Sequence, residues 1–426
     1  MEKILSQQSM RLLVVSQYFW PENFRINDLV GELVWRGHQV TVLTGLPNYP
    51  DGKVFQEFHD TPARYSNYEG VEIIRVPLAP RGQGGLRLVL NYLTFALSAS
   101  TIGLWKLRGR QFDAILAYEP SPITVGLPAA VMRAVKQAPL AFWVLDLWPE
   151  TLQAIGVVRS RALLLAVGKL VTFIYKRCDL ILAQSKSFVP QIQKYAGSNS
   201  RVVYFPNWAE SIFDMQHAVP AAEVSLKPGG FNVMFAGNIG DAQDFPAILA
   251  AAESLRSHSH IRWLIVGDGR MARWVADEIR RRHLQDCVHM LGRHPVERMP
   301  SFFKHANALL VSLKDEPIFS MTIPGKLQSY LAAGIPVVAM LNGEGAEVVR
   351  SSRSGLTCAA GDHVGLAAAV LQLSRMTNEE QDAMGRNGLD ASVREFDRDT
   401  LIDQLEEWIR TLKVEVLPPS MSQGTP

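Results

Sequence analysis

The sequence predicts an α/β protein built from two doubly wound, parallel-sheet domains. Three observations lead there. The chain has 426 residues, the length of two ordinary domains of roughly 100–200 residues each. Short apolar runs alternate with segments of helical spacing, the pattern of parallel strands covered by helices on both faces. That pattern runs twice, on either side of a polar, Pro- and Gly-containing stretch near 207–230 that reads as a linker.

The elements follow in order. Arg11-Leu-Leu-Val-Val-Ser16 is a short apolar strand, and Leu29, Val30, Leu33 and Val34 give the next segment, 27–36, helical spacing. Gly37 ends that helix, and strands are predicted at 39–44, 71–76, 113–117, 140–145, 179–183 and 202–205. The second half restarts with a strand at 231–236, a Gly237-Asn-Ile-Gly240 turn and a helix from Phe245. Strands at 261–266, 307–312 and 335–339 follow, then a last helix near 400–412. The domains are accordingly placed at 11–206 and 231–395, with a C-terminal helix at 396–413 and flexible tails at 1–10 and 414–426.

Composition removes several classes. Hydrophobic residues make up 47% and charged residues 20%, enough for large cores. A formal net charge of +2 is too mild for a nucleic-acid partner, which asks for a clustered basic face. Cys178, Cys287 and Cys358 are scattered, the usage of reduced cytoplasmic thiols, and neither they nor the ten histidines show metal spacing. The first ten residues lack the apolar core of a signal peptide. One segment strains the soluble reading. Leu88 to Trp105 carries no charge and is flanked by Arg81, Arg87, Lys106, Arg108 and Arg110. It fits either a buried domain helix or a helix lying on an anionic membrane surface.

Two doubly wound domains bind ligands beyond the carboxyl ends of their strands, so the loops there hold the candidate site residues. After the first strand come Glu22, Asn23 and Arg25, and after the second come Asn48 and Tyr49. Asp146-Leu-Trp-Pro-Glu150 follows a central strand. Asp146 suits an acid or base there, or a helix cap, and Trp148 and Glu150 add an aromatic and a second carboxylate, a combination suited to a sugar. Glu119 ends another strand. In the second half, Gly237, Asn238 and Gly240 allow close backbone approach to a phosphate. In 323–339, Pro324 suits a first helical turn, and Gly325 and Lys326 mark a helix N-terminus with free N–H groups and a mobile cation, with Ser329 one turn on. No Gly-x-Gly-x-x-Gly fingerprint, Gly-Lys-Ser/Thr loop or Gly-x-Ser-x-Gly elbow occurs where it would have to stand.

Taken together, these segments resemble the retaining glycosyltransferases of family 4, which have the two-domain GT-B fold. The resemblance covers about residues 11–412, and its nearest branch builds bacterial surface polysaccharides of the colanic-acid and N-acetyl-L-fucosamine type. It rests on Gln17-Tyr-Phe-Trp-Pro-Glu22, Arg36–Thr44, Pro47-Asn-Tyr-Pro50, Asn91–Ser98, Asp146-Leu-Trp-Pro-Glu150, Gly237-Asn-Ile-Gly240 and Pro324-Gly-Lys326, in that order.

The resemblance implies two Rossmann-like domains facing across a cleft, with the C-terminal helix returning toward the N-terminal domain. It implies transfer of a sugar from a UDP- or GDP-linked donor to a lipid-linked or oligosaccharide acceptor, without a metal, on the inner face of the cytoplasmic membrane. Asp146 and Lys326 then carry the catalytic roles. Gly237, Asn238, Gly240, Gly325, Lys326, Ser329 and Glu347 hold the nucleotide sugar, and Glu22, Asn23, Arg25, Asn48, Tyr49, Trp148 and Glu150 meet the acceptor. The chain departs from the family at four positions. Met321 and Ser329 stand where two glutamates are usual, and Asn238 and Gln243 stand where an Arg and a Lys are usual. Lys326 is left as the leading cation, with Glu347 as a substitute for the ribose contact. Two rival readings are a degenerate GT-B partner that scaffolds a sister enzyme and a GT-B sugar-nucleotide epimerase.

Overall fold

The structure is a computed structural model, and it describes residues 9–49, 52–82, 85–154, 158, 160–209, 215, 217–225 and 227–412. The expected flexible tails lie outside the described residues, apart from positions 9 and 10, as does part of the expected linker.

The chain divides into two compact units. The first comprises residues 1–183, 189–205 and 402–426; the second comprises 184–188 and 206–401. The first holds an eight-stranded sheet of β1 (Arg11–Ser16), β2 (Gln39–Gly45), β3 (Asn67–Tyr68), β4 (Val71–Val76), β5 (Ala114–Glu119), β6 (Leu140–Val144), β7 (Leu180–Ala183) and β8 (Val202–Tyr204). Its order is β3-β4-β2-β1-β5-β6-β7-β8, parallel throughout except for the β3–β4 pair. The second holds a six-stranded parallel sheet of β9 (Phe231–Ala236), β10 (Ile261–Val266), β11 (Val288–Gly292), β12 (Ala308–Ser312), β13 (Val337–Met340) and β14 (Gly355–Cys358), in the order β11-β10-β9-β12-β13-β14.

Central strands are apolar on both faces because both faces are covered. In β1, Leu13, Val14 and Val15 are fully buried, and Val14 sits in register with Val42 of β2 and Leu116 of β5. Each such side chain contributes roughly 1.5–3 kcal/mol by leaving water. In both sheets the first strand has neighbours that lead away in opposite directions: β1 between β2 and β5, and β9 between β10 and β12. These are the switch points at which doubly wound sheets leave room for ligands.

The predicted strands appear within a residue or two of their expected limits. Three others, β3, β11 and β14, are not evident in the sequence. All three lie at sheet edges, where one flank needs no apolar cover, so β14 (Gly-Leu-Thr-Cys) is only half-buried along its length.

The last helix, Arg398–Thr411, joins the first unit from Ile402 onward. Arg36, at the end of the first helix (Arg25–Trp35), fastens it. Its guanidinium reaches Glu32 at 2.7 Å, Glu406 at 2.6 Å and Asp403, while His38 Nε2 meets the other Glu406 oxygen. Glu406 is nearly inaccessible. Burial alone would raise its carboxyl, but hydrogen bonds from His38 and Arg36 hold it below the usual range.

The uncharged segment 88–105 belongs to a helix from Gly85 to Lys106 with a π-turn at Ala99–Gly103. It is neither a buried core helix nor an ordinary surface helix, because its faces are inverted. Asn91 is fully buried, donates to Ala79 O at 2.7 Å and accepts from Gln17 Nε2 at 2.7 Å; Ser98 Oγ donates to Pro77 O at 2.6 Å. Outward stand Leu86, Val89, Leu90, Leu93, Leu97 (67% exposed) and Trp105 (61%). Buried polar side chains thus anchor the helix beside buried Phe95 and Ala99, while most of its large apolar side chains face away.

Candidate active site

In the first unit the candidate residues gather at the carboxyl ends of β1, β2, β5 and β6. They divide into groups that build the loops and groups that face outward. Glu22 was expected at the acceptor, but it is buried and committed to backbone. Oε1 accepts from Asn48 N (2.8 Å) and Tyr49 N (2.7 Å), and Oε2 from Phe19 N (3.2 Å). Burial still pushes its carboxyl up to about 7 against those three N–H groups and Arg75. Asn48 is likewise inaccessible. Its Nδ2 donates to Leu46 O at 2.8 Å, and its Oδ1 accepts from Arg81 N at 3.1 Å. Both residues therefore staple the β1 and β2 loops together, which corrects their expected role as acceptor contacts: both are buried away from any ligand surface.

Tyr49 does face outward, at 37% exposure, its ring tilted against those of Tyr18 and Phe24 and the Arg81 guanidinium 5.3 Å from its centroid. Asn23 is exposed and Arg25 half-buried at the start of its helix. Tyr92, on the inverted helix, links this group to the Asp146 loop. Its ring lies 6.3 Å from that of Trp148, and its hydroxyl is held up by burial, opposed by Arg81 and by a hydrogen bond with Ser121. Trp148 is buried and donates Nε1–H to Asp146 Oδ2 at 3.2 Å, while Thr151 Oγ1 donates to Oδ1. Glu150 accepts from Tyr195 OH at 3.0 Å. Asp146 itself is partly buried with both oxygens oriented. Burial raises its carboxyl, opposed by the Thr151, Trp148 and Ser121 hydrogen bonds. An oriented carboxyl at a strand end can bind or deprotonate a hydroxyl. Tyr18, Arg81 and Tyr92 were not singled out as site residues; only their spatial convergence on Tyr49 and Trp148 marks them.

In the second unit, the turn after β9 and the helix Gly325–Ala332 meet. Gly237 (φ +138°) takes a conformation that favours glycine, and a Cβ there would lie 3.3 Å from Lys326 Nζ. Gly267 permits a second close approach: its Cβ would strike Gly237 O. Tyr330, one turn after Lys326 on the same face, is fully buried and its hydroxyl contacts Ala236 N (3.0 Å) and Ala236 O (3.1 Å). The helix is thereby clamped to the end of β9 with Lys326 over the Gly237 turn.

The expected mobile cation is not mobile. Lys326 is partly exposed along its stem, but its Nζ is buried, has no hydrogen-bond partner among the described residues, and sits 3.7 Å from the Phe235 ring centroid. Burial holds its ammonium down to about 7. Pro324 is the N-cap rather than a first-turn residue, and the space beside exposed Gly325 is open. A helix start with its first N–H groups free and a cation beside it can hold a phosphate. Ser329 is buried on the same helix. Glu347, the expected substitute for the ribose contact, is exposed and paired with Arg350 of its own helix at 3.0 Å. Among the described residues, no group of three or more His, Cys, Asp or Glu could hold a metal ion.

A profile of the "Glycosyl transferase 4-like domain" matches residues 23–208, and one of "Glycosyl transferases group 1" matches residues 230–376. The chain belongs to the family 4 glycosyltransferases. It is 25% identical over 341 residues to WcaI of Escherichia coli, a protein named for colanic acid biosynthesis, covering 76% of this chain and 82% of that one. Among solved structures, sucrose-phosphate synthase from Thermosynechococcus elongatus superposes with a TM-score of 0.70 at 16% identity, over 95% of this chain and 99% of that one. Anabaena HepE in complex with UDP and glucose gives 0.67 at 15% identity, over 95% and 100%. These likenesses carry the GT-B architecture.

The transferase fills its four departing positions in its own way. Met321 ends a short helix (Pro317–Met321), and its carbonyl accepts from Ser185 Oγ at 2.5 Å. Gln243 folds back to accept from Gly240 N at 3.1 Å, bracing the turn that a Lys would otherwise overhang. Asn238 is exposed. A cation that sequence reasoning passed over stands nearby: Lys314 follows β12, donates its N–H to Ala242 O at 2.9 Å and places Nζ 3.9 Å from Asp241. The signal was a Lys just beyond a predicted strand beside the switch point.

Proposed function

We propose that this transferase moves a sugar from a UDP- or GDP-linked donor to a lipid-linked or oligosaccharide acceptor in bacterial surface-polysaccharide assembly, with retention of configuration. The observation that carries the reading is Lys326, whose ammonium is buried, without a partner among the described residues, and beside Gly237 at the open start of a helix. Such an ammonium lacks a counter-charge, and a donor diphosphate would supply one. Leaving-group charge would then be met by preorganised groups: Lys326, Lys314 and the N–H groups at the 325–326 helix start. Asp146 would orient or deprotonate the acceptor hydroxyl, with Tyr49, Tyr92 and Trp148 as apolar walls for the sugar. Relatedness to WcaI supports a polysaccharide product, and likeness to HepE, which holds UDP and glucose, supports a nucleotide-sugar donor. A thermal-shift panel of UDP, GDP and their sugars, followed by a transfer assay with a lipid-linked acceptor, tests this. The reading predicts stabilisation by one nucleotide class and formation of a glycolipid. Isomerised donor, or no binding at all, would reverse it.

The proposal includes an acceptor presented at an anionic membrane surface. Two helices of the first unit favour it. The inverted helix Gly85–Lys106 turns seven large apolar side chains outward, Ile102 among them, with Arg87 exposed at one end and Arg108 at the other. The helix Arg161–Tyr175 exposes Leu163, Leu165 (70%) and Phe173, with Lys169 and Arg177 alongside. Apolar patches bordered by basic residues are the signature of an interfacial helix. Arg81 is removed from the expected basic flank, since it packs on Tyr49, and Arg110 is paired with Glu72.

A further inference from the structure

Beneath the Asp146 loop lies a second carboxyl group that sugar transfer, as derived above, leaves unused. Glu119 is the last residue of β5 and is wholly inaccessible to solvent. Neither of its oxygens has a hydrogen-bond partner among the described residues. The charge that acts on it is that of Asp146, another acid. Tyr175, from the helix Arg161–Tyr175, is buried within reach of the field of Glu119, Glu150 and Asp146, and its hydroxyl is also unpartnered.

An ionised carboxylate with no counter-ion, no hydrogen bond and a second carboxylate nearby is the arrangement that proteins relieve by retaining a proton. Between the two acids the choice follows from their partners. Asp146 receives Trp148 Nε1–H and Thr151 Oγ1–H, which stabilise its anion, whereas Glu119 receives neither. We propose that Glu119 is a positioning residue for Asp146: the pair holds one proton, Glu119 carries it, and Asp146 is thereby kept as the single anion presented to the acceptor hydroxyl. The inference rests on the reading of Asp146 as the acceptor-facing group.

The surroundings agree in sign. Burial first, then Asp146, holds the Glu119 carboxyl well above the usual range, and the nearby backbone N–H groups of Asp146 and Leu145, which make no hydrogen bond to its oxygens, oppose this only in part. The other titratable groups near the pair are Tyr118 of the same strand, Tyr92 of the inverted helix, Glu150, Tyr175 and Cys178. Arg25 acts on Tyr118 and Arg81 on Tyr92, but neither is among the groups that shift Glu119. Burial likewise raises Tyr92, Tyr118, Tyr175 and Cys178, which favours their neutral forms. Loss of the Glu119 proton at alkaline pH would put a second negative charge under Asp146 and close the site to the hydroxyl.

The experiment compares the full-length wild type with E119Q and E119A. Difference infrared spectroscopy at neutral pH is expected to show a protonated-carboxyl stretch in the wild type that is absent from E119Q. In the transfer assay, E119A is expected to lose about tenfold in kcat at unchanged donor KM, the order of a mispositioned group. E119Q keeps an N–H donor in the same volume and is expected to recover most of that loss, with the alkaline limb of the pH profile moved upward. Absence of the infrared band, or an alkaline limb in E119Q that coincides with that of the wild type, would overturn the proposal. The infrared result does not depend on turnover. A wild type that transfers no sugar therefore refutes the acceptor reading of Asp146 without obscuring the state of Glu119.

Discussion

Lys326 Nζ lies 3.7 Å from the centroid of the Phe235 ring and makes no hydrogen bond among the described residues. The ring face is the only compensation shown for a desolvated ammonium, and it is a partial one of about 2 kcal/mol. Phe235 and Tyr330 together fix where the cation stands, since Tyr330 clamps the helix to Ala236. If this ammonium serves the donor diphosphate, Lys326→Ala should slow transfer at least about 100-fold, the loss of one charge-stabilising donor. Steady-state kinetics with an unchanged melting temperature check it, and near-wild-type turnover would remove Lys326 from the mechanism.

The same residue predicts a proton taken up on donor binding. Burial holds the ammonium down to about 7, so near neutral pH it is part neutral without ligand. A diphosphate favours the charged form. Affinity should therefore be greatest below pH 7 and fall as pH rises. Calorimetry in buffers of different ionisation enthalpy should register up to one proton gained, and Lys326→Met should abolish it. Without ligand the sign is opposite: the folded value lies below the unfolded value of about 10.4. Folded protein then binds fewer protons between about 7 and 10, so stability should rise with pH across that window, and its penalty is complete below pH 7.

Arg36 should be a stability residue far from any chemistry. It holds Glu406 where the terminal helix joins the first unit, and Glu406 is almost inaccessible. Arg36→Ala leaves that carboxylate short of its main cation, so urea unfolding should report a loss of about 3–5 kcal/mol. Pairing it with Glu406→Gln should recover part of the loss. Additive effects would mean that the pair is not coupled.

The outward face of the inverted helix gives a surface prediction. Replacing Leu93 and Leu97 with Ser should leave stability within about 0.5 kcal/mol, because both are solvent-facing. Co-flotation with anionic vesicles at low salt should fall several-fold, and bulk folding should be unchanged. Undiminished flotation would mean that the membrane is met elsewhere.

Much of the site was visible in the chain because its signals are local. Asp146, Trp148 and Glu150 stand in one loop, and Gly237, Gly325 and Lys326 advertise a turn and a helix start through residue type alone. Glu22 and Asn48 misled for a physical reason: a polar residue in a strand-end loop looks the same whether it faces a ligand or ties two loops together. Only the backbone N–H groups of Asn48 and Tyr49, 26 and 27 residues away, make Glu22 a staple.

The sequence by itself determined the two α/β domains, the order of their central strands along the chain, and the family to which the transferase belongs. Hydrophobic period and turn chemistry are properties of neighbouring residues, so they survive without a fold. The tertiary structure alone decided that the ammonium of Lys326 is desolvated against Phe235 and that Glu119 is stranded beside Asp146. It alone decided that the helix at 85–106 presents its apolar face outward. Each of these depends on what a side chain meets across tens or hundreds of residues. Burial, charge pairing and the free energy of a proton are set by those distant neighbours.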